Sequence, residues 1–169
     1  MDLDALNSLP AAAAEAKLLK CCGCARWAHE VATRRPFTDE TELKRSANEV
    51  WWYLSQEDWL EAFRSHPKIG EKKAAATTST QSQRWSEDEQ SRASQTAVTT
   101  ATALAVLNQQ YEDKFGHIFI VCATGKTADE MLDDLRARLD NAPDDELRIA
   151  AQEQAKITEL RLAKLLGND

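Results

Sequence analysis

The chain has 169 residues, 43% of them hydrophobic and 29% charged, which is typical of one globular domain with a sizeable core. The net charge of −7 argues against a nucleic-acid partner, because such a partner requires a basic face. No apolar run is long enough to span a bilayer, and the acidic stretch over residues 1–9 lacks the apolar core of a signal peptide.

Helical patterns fill the first part of the chain. The sequence predicts helices over residues 4–9 (ended by Pro10), 11–22, 24–33 (after Gly23) and 38–54. Ser55, followed by an acidic residue three positions later, resembles a helix N-cap and predicts a further helix that runs to residue 65.

The second part begins with a polar stretch over residues 71–84 that has no apolar period and predicts a loop. Ser86 and Glu89 match a capping box, which opens a helix to about residue 114. Residues 117–123 form a short apolar run between two glycines and predict an extended segment. Thr127 and Glu130 match another capping box, which opens a predicted helix over residues 127–139, and a last helix is predicted over residues 144–166. The predicted fold is therefore all-α, a single-domain multi-helix bundle over residues 1–169 with one short extended segment.

His66 lies at the end of a predicted helix and is followed directly by Pro67. Proline disfavours the α conformation of the residue before it, so we expect His66 to leave the helix and sit on a rigid, non-helical shelf. Such a shelf suits the presentation of an imidazole to a small substrate. The alternative is a plain helix stop, because histidine in the last turn followed by proline is common at helix C-termini.

Glu89 and Arg161 complete the candidate site. Glu89 has a structural explanation as the third residue of its capping box, but a carboxylate near a helix N-terminus also stays ionised and can orient a histidine. Arg161 falls on an apolar stripe of the last helix. Its guanidinium either extends to solvent near the helix end or anchors a carboxylate or urea-like substrate.

Three of the four cysteines, Cys21, Cys22 and Cys24, form a cluster without histidine at zinc-finger spacing. We expect free buried thiols and no metal site, and a zinc protein built on this cluster is an alternative that metal analysis would test. No glycine-rich phosphate loop is present, so we expect no nucleotide or organic cofactor.

Taken together, the motifs resemble the 2-oxo-4-hydroxy-4-carboxy-5-ureidoimidazoline (OHCU) decarboxylase family, most closely its plant-type members. The resemblance covers nearly the whole chain and rests on motifs in the family's order: His66-Pro67-Lys68-Ile69-Gly70, Ser86-x-x-Glu89-Gln90, Tyr111-x-x-x-Phe115-Gly116-x-x-Phe119-Ile120, Glu146, and Glu153-x-x-Lys156-Ile157-x-x-x-Arg161-Leu162. The chain departs from the family at His117-Ile118, where Phe-Pro is frequent, and at Lys68-Ile69, where Asp-Leu is frequent in bacterial and animal members.

The resemblance implies an all-helical homodimer whose extended segment lines the pocket. It assigns His66 as the acid–base residue and Glu89 as its orienting partner, with Arg161 completing the catalytic set. It further implies that the substrate is contacted by a larger group: Pro67, Ser86, Glu87, Asp88, Gln90, Phe119, Ile120, Val121, Cys122 and Ala123.

The implied reaction is the decarboxylation of OHCU to (S)-allantoin in urate breakdown. The family's substrate carries a ring C=N beside the carbon that loses carbon dioxide, and this bond can take up the electron pair without a cofactor. The implied partner is a 5-hydroxyisourate hydrolase, fused or functionally coupled, with no nucleic acid or membrane. The expected location is intracellular, peroxisomal in a eukaryote and cytoplasmic in a bacterium.

A function of another class is also compatible with a helical chain. Apolar grooves between helices could serve partner helices, which would make the protein an interaction module without catalysis. Binding of allantoin, or a deep pocket beside His66, would separate this alternative from the enzyme.

Overall fold

The computed structural model describes the backbone of residues 1–69 and 87–167, and the side chains of residues 1–69 and 97–167. Within these ranges the chain forms eight α-helices and no β-strand. It divides into two compact units. Unit 1 contains residues 1–66, 120–122 and 147–169, and unit 2 contains residues 67–119 and 123–146.

Unit 1 holds the first five helices and most of the last one. Their bounds are α1 Leu3–Ser8, α2 Ala11–Cys22, α3 Ala25–Thr33, α4 Glu40–Tyr53, α5 Gln56–Arg64 and α8 Pro143–Leu165, of which the residues from Leu147 onward belong to this unit. The two helices of unit 2 are α6 Glu87–Phe115 and α7 Ala128–Arg138. No helix in the described ranges is long and apolar enough to cross a membrane.

Side chains that accept hydrogen bonds from the first turn define where these helices begin. Asp39 accepts from the backbone N–H of Glu42 at the start of α4. Ser55 and Asp58 form a reciprocal capping box at the start of α5, as the sequence predicts. A second capping box, Thr127 with Glu130, opens α7. Each such cap contributes about 1 kcal/mol, since it satisfies a backbone donor that the helix cannot pair internally.

Tryptophan side chains cross-link the core of unit 1. The indole N–H of Trp27 on α3 donates to the carbonyl of Ala47 on α4 at 3.0 Å. That of Trp51 on α4 donates to the carbonyl of Ala151 on α8, also at 3.0 Å. Each ring is almost fully buried, so it contributes a large apolar surface while its single polar atom remains paired. These contacts hold α8, which carries Arg161, against α4.

The core of unit 2 contains a buried charge. Glu146 is fully buried and accepts hydrogen bonds from the Tyr111 hydroxyl, from Arg138 (2.7 Å) and from Asn141 (2.9 Å). The Arg138 guanidinium also stacks over the Phe119 ring, 4.4 Å from its centre. A buried carboxylate is tolerated only with partners of this kind, because an unpaired one would lose its hydration without compensation.

The predicted extended segment is non-helical and forms no strand within the described ranges. Its residues Ile120 and Val121 are buried in unit 1. The backbone N–H of Cys122 donates to the Glu153 carboxylate of α8 at 2.8 Å. A side chain of a helix therefore satisfies one of the backbone groups that the sequence leaves without a sheet partner.

The predicted all-helical fold is confirmed, and each predicted helix is present in the described ranges, with bounds shifted by at most two residues. The loop predicted over residues 71–84 and the Ser86 end of the predicted capping box lie outside the described residues. The largest shift concerns α4, which begins at Glu40 because Asp39 takes the capping position.

Candidate active site

His66 lies just beyond the end of α5. The helix ends at Arg64, Ser65 keeps the α conformation as C-cap, and the backbone N–H of His66 donates to the carbonyl of Phe63 at 3.2 Å. Residues 66–68 are not helical. The prediction that His66 leaves the helix before Pro67 is therefore confirmed. The imidazole is therefore attached to a non-helical segment directly after α5.

The imidazole of His66 is half-buried and contacts two side chains of α8. Its Nε2 lies 2.6 Å from Oε1 of Gln154, and its Nδ1 lies 3.4 Å from Nη2 of Arg161. Gln154 is fully buried, and its amide nitrogen donates to the hydroxyl of Thr158 at 3.1 Å. The ring is thus held between an amide and a guanidinium, both on the same helix.

Burial lowers the pKa of His66 below its ordinary value of 6.5, and the positive charge of Arg161 lowers it further, against an opposing hydrogen bond to Gln154. At neutral pH the ring is therefore uncharged, and one of its two nitrogens carries a lone pair instead of a proton. A neutral imidazole is the form that can take a proton from a substrate.

Arg161 is half-buried, and its Nη1 donates to the backbone carbonyl of Cys21 on α2 at 3.3 Å. Among the side chains of residues 1–69 and 97–167, no carboxylate lies within 4.0 Å of its charged nitrogens. A guanidinium has five donors, and the described contacts use two of them. The Arg161 side chain therefore lies against α2 and His66 and does not extend freely into solvent.

The cysteine cluster consists of free thiols. Burial raises the pKa of Cys21 to about 11 and that of Cys22 to about 12, so both are protonated at neutral pH. Cys24 instead accepts a hydrogen bond from the backbone N–H of Trp27 and caps α3.

A possible metal-ligand group in the described part of the chain combines Cys24 with Asp58 and Glu61, and it includes neither Cys21 nor Cys22. Both carboxylates already accept backbone N–H groups, Asp58 at the start of α5 and Glu61 at the start of α3. The cluster therefore has a structural role as helix caps.

The other predicted site residues are distributed as follows. Ile120 and Val121 are buried and Cys122 is half-buried in unit 1, whereas Pro67, Phe119 and Ala123 belong to unit 2. Ser86 and the side chains of Glu87, Asp88, Glu89 and Gln90 lie outside the described residues. The predicted role of Glu89 as the partner of His66 thus stays a prediction.

Two polar residues of the site, Gln154 and Thr158, were not predicted from the sequence. Both face the buried side of α8, where Ala150, Ala151 and Leu162 are also buried. Their spacing of four residues places them on one face of the helix, together with Arg161 seven residues after Gln154. Polar residues at helical spacing on an otherwise apolar face could have indicated this part of the site, because buried polar groups need partners.

A family model described as OHCU decarboxylase matches residues 7–163. The chain belongs to the OHCU decarboxylase family. The predicted family resemblance is therefore confirmed, as is its all-helical fold.

Relatives and a solved structure agree with this membership. The "Uric acid degradation bifunctional protein TTL" of Arabidopsis thaliana is 40% identical over 149 residues, which cover 88% of this chain and 46% of that protein. The mouse "2-oxo-4-hydroxy-4-carboxy-5-ureidoimidazoline decarboxylase" is 33% identical over 147 residues, 85% of this chain and 80% of that protein. The "Crystal structure of OHCU decarboxylase in the presence of (S)-allantoin" is 39% identical, with a TM-score of 0.72 over 89% of this chain and 97% of that chain. The chain thus spans less than half the length of its Arabidopsis relative.

Proposed function

We propose that this protein decarboxylates OHCU to (S)-allantoin, without an organic cofactor, in the breakdown of urate. The observation that carries the proposal is the pairing of a neutral His66 with Arg161, which has no carboxylate partner among the described side chains. The pair offers a base and a fixed positive charge side by side, in a chain that belongs to a decarboxylase family.

The role proposed for Arg161 is to bind the anionic part of the substrate. Its remaining N–H donors suit a carboxylate or the oxygen of a ureido group. Holding the carboxylate out of the plane of the ring aligns the breaking C–C bond with the adjacent C=N. Binding of this kind supplies orientation, which lowers the barrier because the reacting groups no longer have to be brought together at the transition state.

The role proposed for His66 is to move the proton. When the C–C bond to the carboxylate breaks and carbon dioxide leaves, its electron pair forms a C=C bond to the neighbouring ring carbon, the C=N π pair moves onto the ring nitrogen, and that nitrogen takes up a proton from solvent. The neighbouring hydroxyl then loses its proton to the imidazole, and the carbon of the former C=N gains one. Delivery of that proton to a single face would give one enantiomer of allantoin.

The test is a coupled assay in which urate oxidase and 5-hydroxyisourate hydrolase generate the unstable substrate in place. Substrate decay and the circular dichroism of the allantoin are followed for wild type, His66→Ala and His29→Ala. His29 is an exposed histidine of α3 and serves as the matched control. We expect rapid, single-handed product from wild type and His29→Ala, and a rate about 10² to 10⁴ lower from His66→Ala.

Racemic allantoin formed by all three proteins at the spontaneous rate would overturn the proposal. In that case the family fold would be present without its chemistry, and an interaction module would become the better explanation. Normal turnover by His66→Ala would show that the protein catalyses the reaction but that His66 has no catalytic role in it.

The proposal also includes a partner enzyme, an oligomeric state and a cellular location. We propose coupling to a 5-hydroxyisourate hydrolase, which is supported by the bifunctional name of the Arabidopsis relative. The family resemblance also supports a homodimer, which sedimentation equilibrium would test. It further supports a peroxisomal location in a eukaryote and a cytoplasmic one in a bacterium, which a fluorescent fusion would test.

A further inference from the structure

The imidazole of His66 ends a chain of hydrogen bonds that runs into the core of unit 1. Its Nε2 and Oε1 of Gln154 are 2.6 Å apart, and the amide nitrogen of Gln154 lies 3.1 Å from Oγ1 of Thr158. The hydroxyl of Thr158 in turn interacts with the thiol of Cys22. Gln154 and Cys22 are fully buried, so each of their polar atoms depends on its protein partner.

Arg161 determines the direction of this chain. A guanidinium can only donate hydrogen bonds, so the Nδ1 of His66 that faces it at 3.4 Å must be an acceptor. In a neutral ring the proton then resides on Nε2. That proton requires an oxygen opposite it, so Gln154 presents its carbonyl to the ring and its amide nitrogen to Thr158.

The reverse arrangement is unfavourable at Arg161. If the proton were on Nδ1, it would face the N–H groups of Arg161, and two donors would oppose each other. Gln154 would also have to turn its amide, and the Thr158 hydroxyl, which can donate as well as accept, would have to reverse with it. The ring, the amide and the hydroxyl therefore reverse together, and the opposed donors at Arg161 disfavour that reversal.

We propose that Gln154 is a positioning residue that, together with Arg161, holds His66 as the Nε2–H tautomer, so that Nδ1 is the atom that accepts the substrate's proton once Arg161 turns its donors to the anionic part of the substrate. The part of this inference that concerns catalysis rests on the proposed decarboxylase function. The part that concerns the tautomer does not require a substrate.

The charged surroundings of the ring agree with this assignment. Arg161 of α8 is the charged side chain that the described part of the chain places at the imidazole. The nearby thiols of α2, Cys21 and Cys22, have pKa values raised by burial to about 11 and about 12 and are neutral. Within the described part of the chain, Gln154 and Arg161 are therefore the groups whose hydrogen bonds select the tautomer.

The first test is nitrogen-15 NMR of histidine-labelled protein at pH 7.5, without substrate. The chain has three histidines, so the spectra of His29→Ala and His66→Ala assign the signals. We expect His66 in wild type to carry its proton on Nε2, with Nδ1 as a bare acceptor. A proton on Nδ1, or an equal mixture of the two forms, would overturn the inference.

The second test removes the acceptor. Gln154→Met keeps the side-chain length but removes both polar atoms, and we expect a mixed tautomer and a fall of kcat by about 10² or more, with KM within a few-fold of wild type. Gln154→Glu retains an acceptor for Nε2–H but adds a negative charge, so we expect the Nε2–H form to persist and the acid limb of kcat to move to higher pH. A residue that only fills space would leave the tautomer unchanged in Gln154→Met.

Thr158 provides the variant pair to use if the Gln154 substitutions do not fold. Thr158→Val removes the hydroxyl that holds the amide, whereas Thr158→Ser restores it, so the first should disturb the tautomer and the second should return it to the wild-type form. Full kcat and an unchanged tautomer in Thr158→Val and Gln154→Met would overturn the inference while leaving the decarboxylase intact. If the tautomer responds as expected but wild type does not convert OHCU, the proposed function fails and the tautomer assignment remains.

Discussion

Gly23 packs against Ser65, the residue directly before His66. Gly23 ends α2 with φ = +82°, and a Cβ atom added to it would lie 2.1 Å from Oγ of Ser65 and 2.5 Å from its Cβ. The absence of a side chain therefore allows the end of α2 to approach the shelf that carries His66. This contact links the cysteine-bearing helix to the position of the imidazole.

The first prediction concerns this contact. Gly23→Ala should destabilise the protein by more than the roughly 1–2 kcal/mol that a left-handed conformation costs a residue with a Cβ, because the new methyl group also meets Ser65. Gly125→Ala is the matched control, since Gly125 has φ = +78° but open space around its Cβ position. Urea unfolding measures the loss of unfolding free energy in both variants, and the difference between the two losses is the steric contribution of Ser65. Equal losses in the two would show that Ser65 moves away freely.

The second prediction concerns the buried carboxylate of unit 2. Glu146→Gln leaves the Arg138 guanidinium buried without its anion, which should cost about 3–5 kcal/mol of unfolding free energy. Asp145→Asn, at an exposed neighbouring position of the same helix, should cost less than about 1 kcal/mol. Chemical denaturation measures both. A loss below about 1 kcal/mol in Glu146→Gln would contradict the proposed dependence on this ion pair.

The third prediction concerns pH. Burial lowers the pKa of His117 below its ordinary value of 6.5. The unfolded chain therefore binds a proton at this residue before the folded chain does, so His117 reduces stability as the pH falls below about 6.5 and has no such effect above it. His117→Phe removes this proton uptake. Its unfolding free energy should fall less than that of wild type between pH 7.5 and pH 5.5, and an equal or steeper fall would refute the assignment.

The fourth prediction concerns the thiols. At pH 8 a thiol with a pKa of about 11 is ionised to about one part in a thousand, so Cys21 should react slowly with iodoacetamide, and Cys22 more slowly still. Cys122 is partly exposed and should be modified first. Mass spectrometry of peptides from the folded protein gives the order, and unfolding in guanidinium should expose all four thiols. Modification of Cys21 or Cys22 ahead of Cys122 would contradict the burial of these two thiols.

The fifth prediction concerns substrate binding. Arg161→Lys keeps the charge but loses the planar fork of donors, so kcat/KM should fall by about 10- to 100-fold, which corresponds to the loss of a hydrogen bond between charged groups. Arg148→Lys, at an exposed position of the same helix, is the control and should retain wild-type kinetics. A retained kcat/KM in Arg161→Lys would show that the charge alone is sufficient.

The sequence was most informative where the determining interactions are local. The capping boxes at Ser55 and Thr127 were predicted from residues three positions apart and are present. The departure of His66 from its helix followed from the proline beside it. In each case the groups that interact lie within a few residues of one another, so a linear pattern is sufficient to predict them.

The tertiary structure decided which side chains contact the imidazole, although the family resemblance had already placed Arg161 in the same predicted site. Gln154 and Arg161 lie 88 and 95 residues after His66, and no local pattern relates them to it. The same holds for the pairing of the Cys122 N–H with Glu153, 31 residues away. The reason is physical. Helix formation depends on interactions within a turn or two, whereas the partner of a buried polar atom depends on which helices pack together, and that is settled by the burial of the whole core.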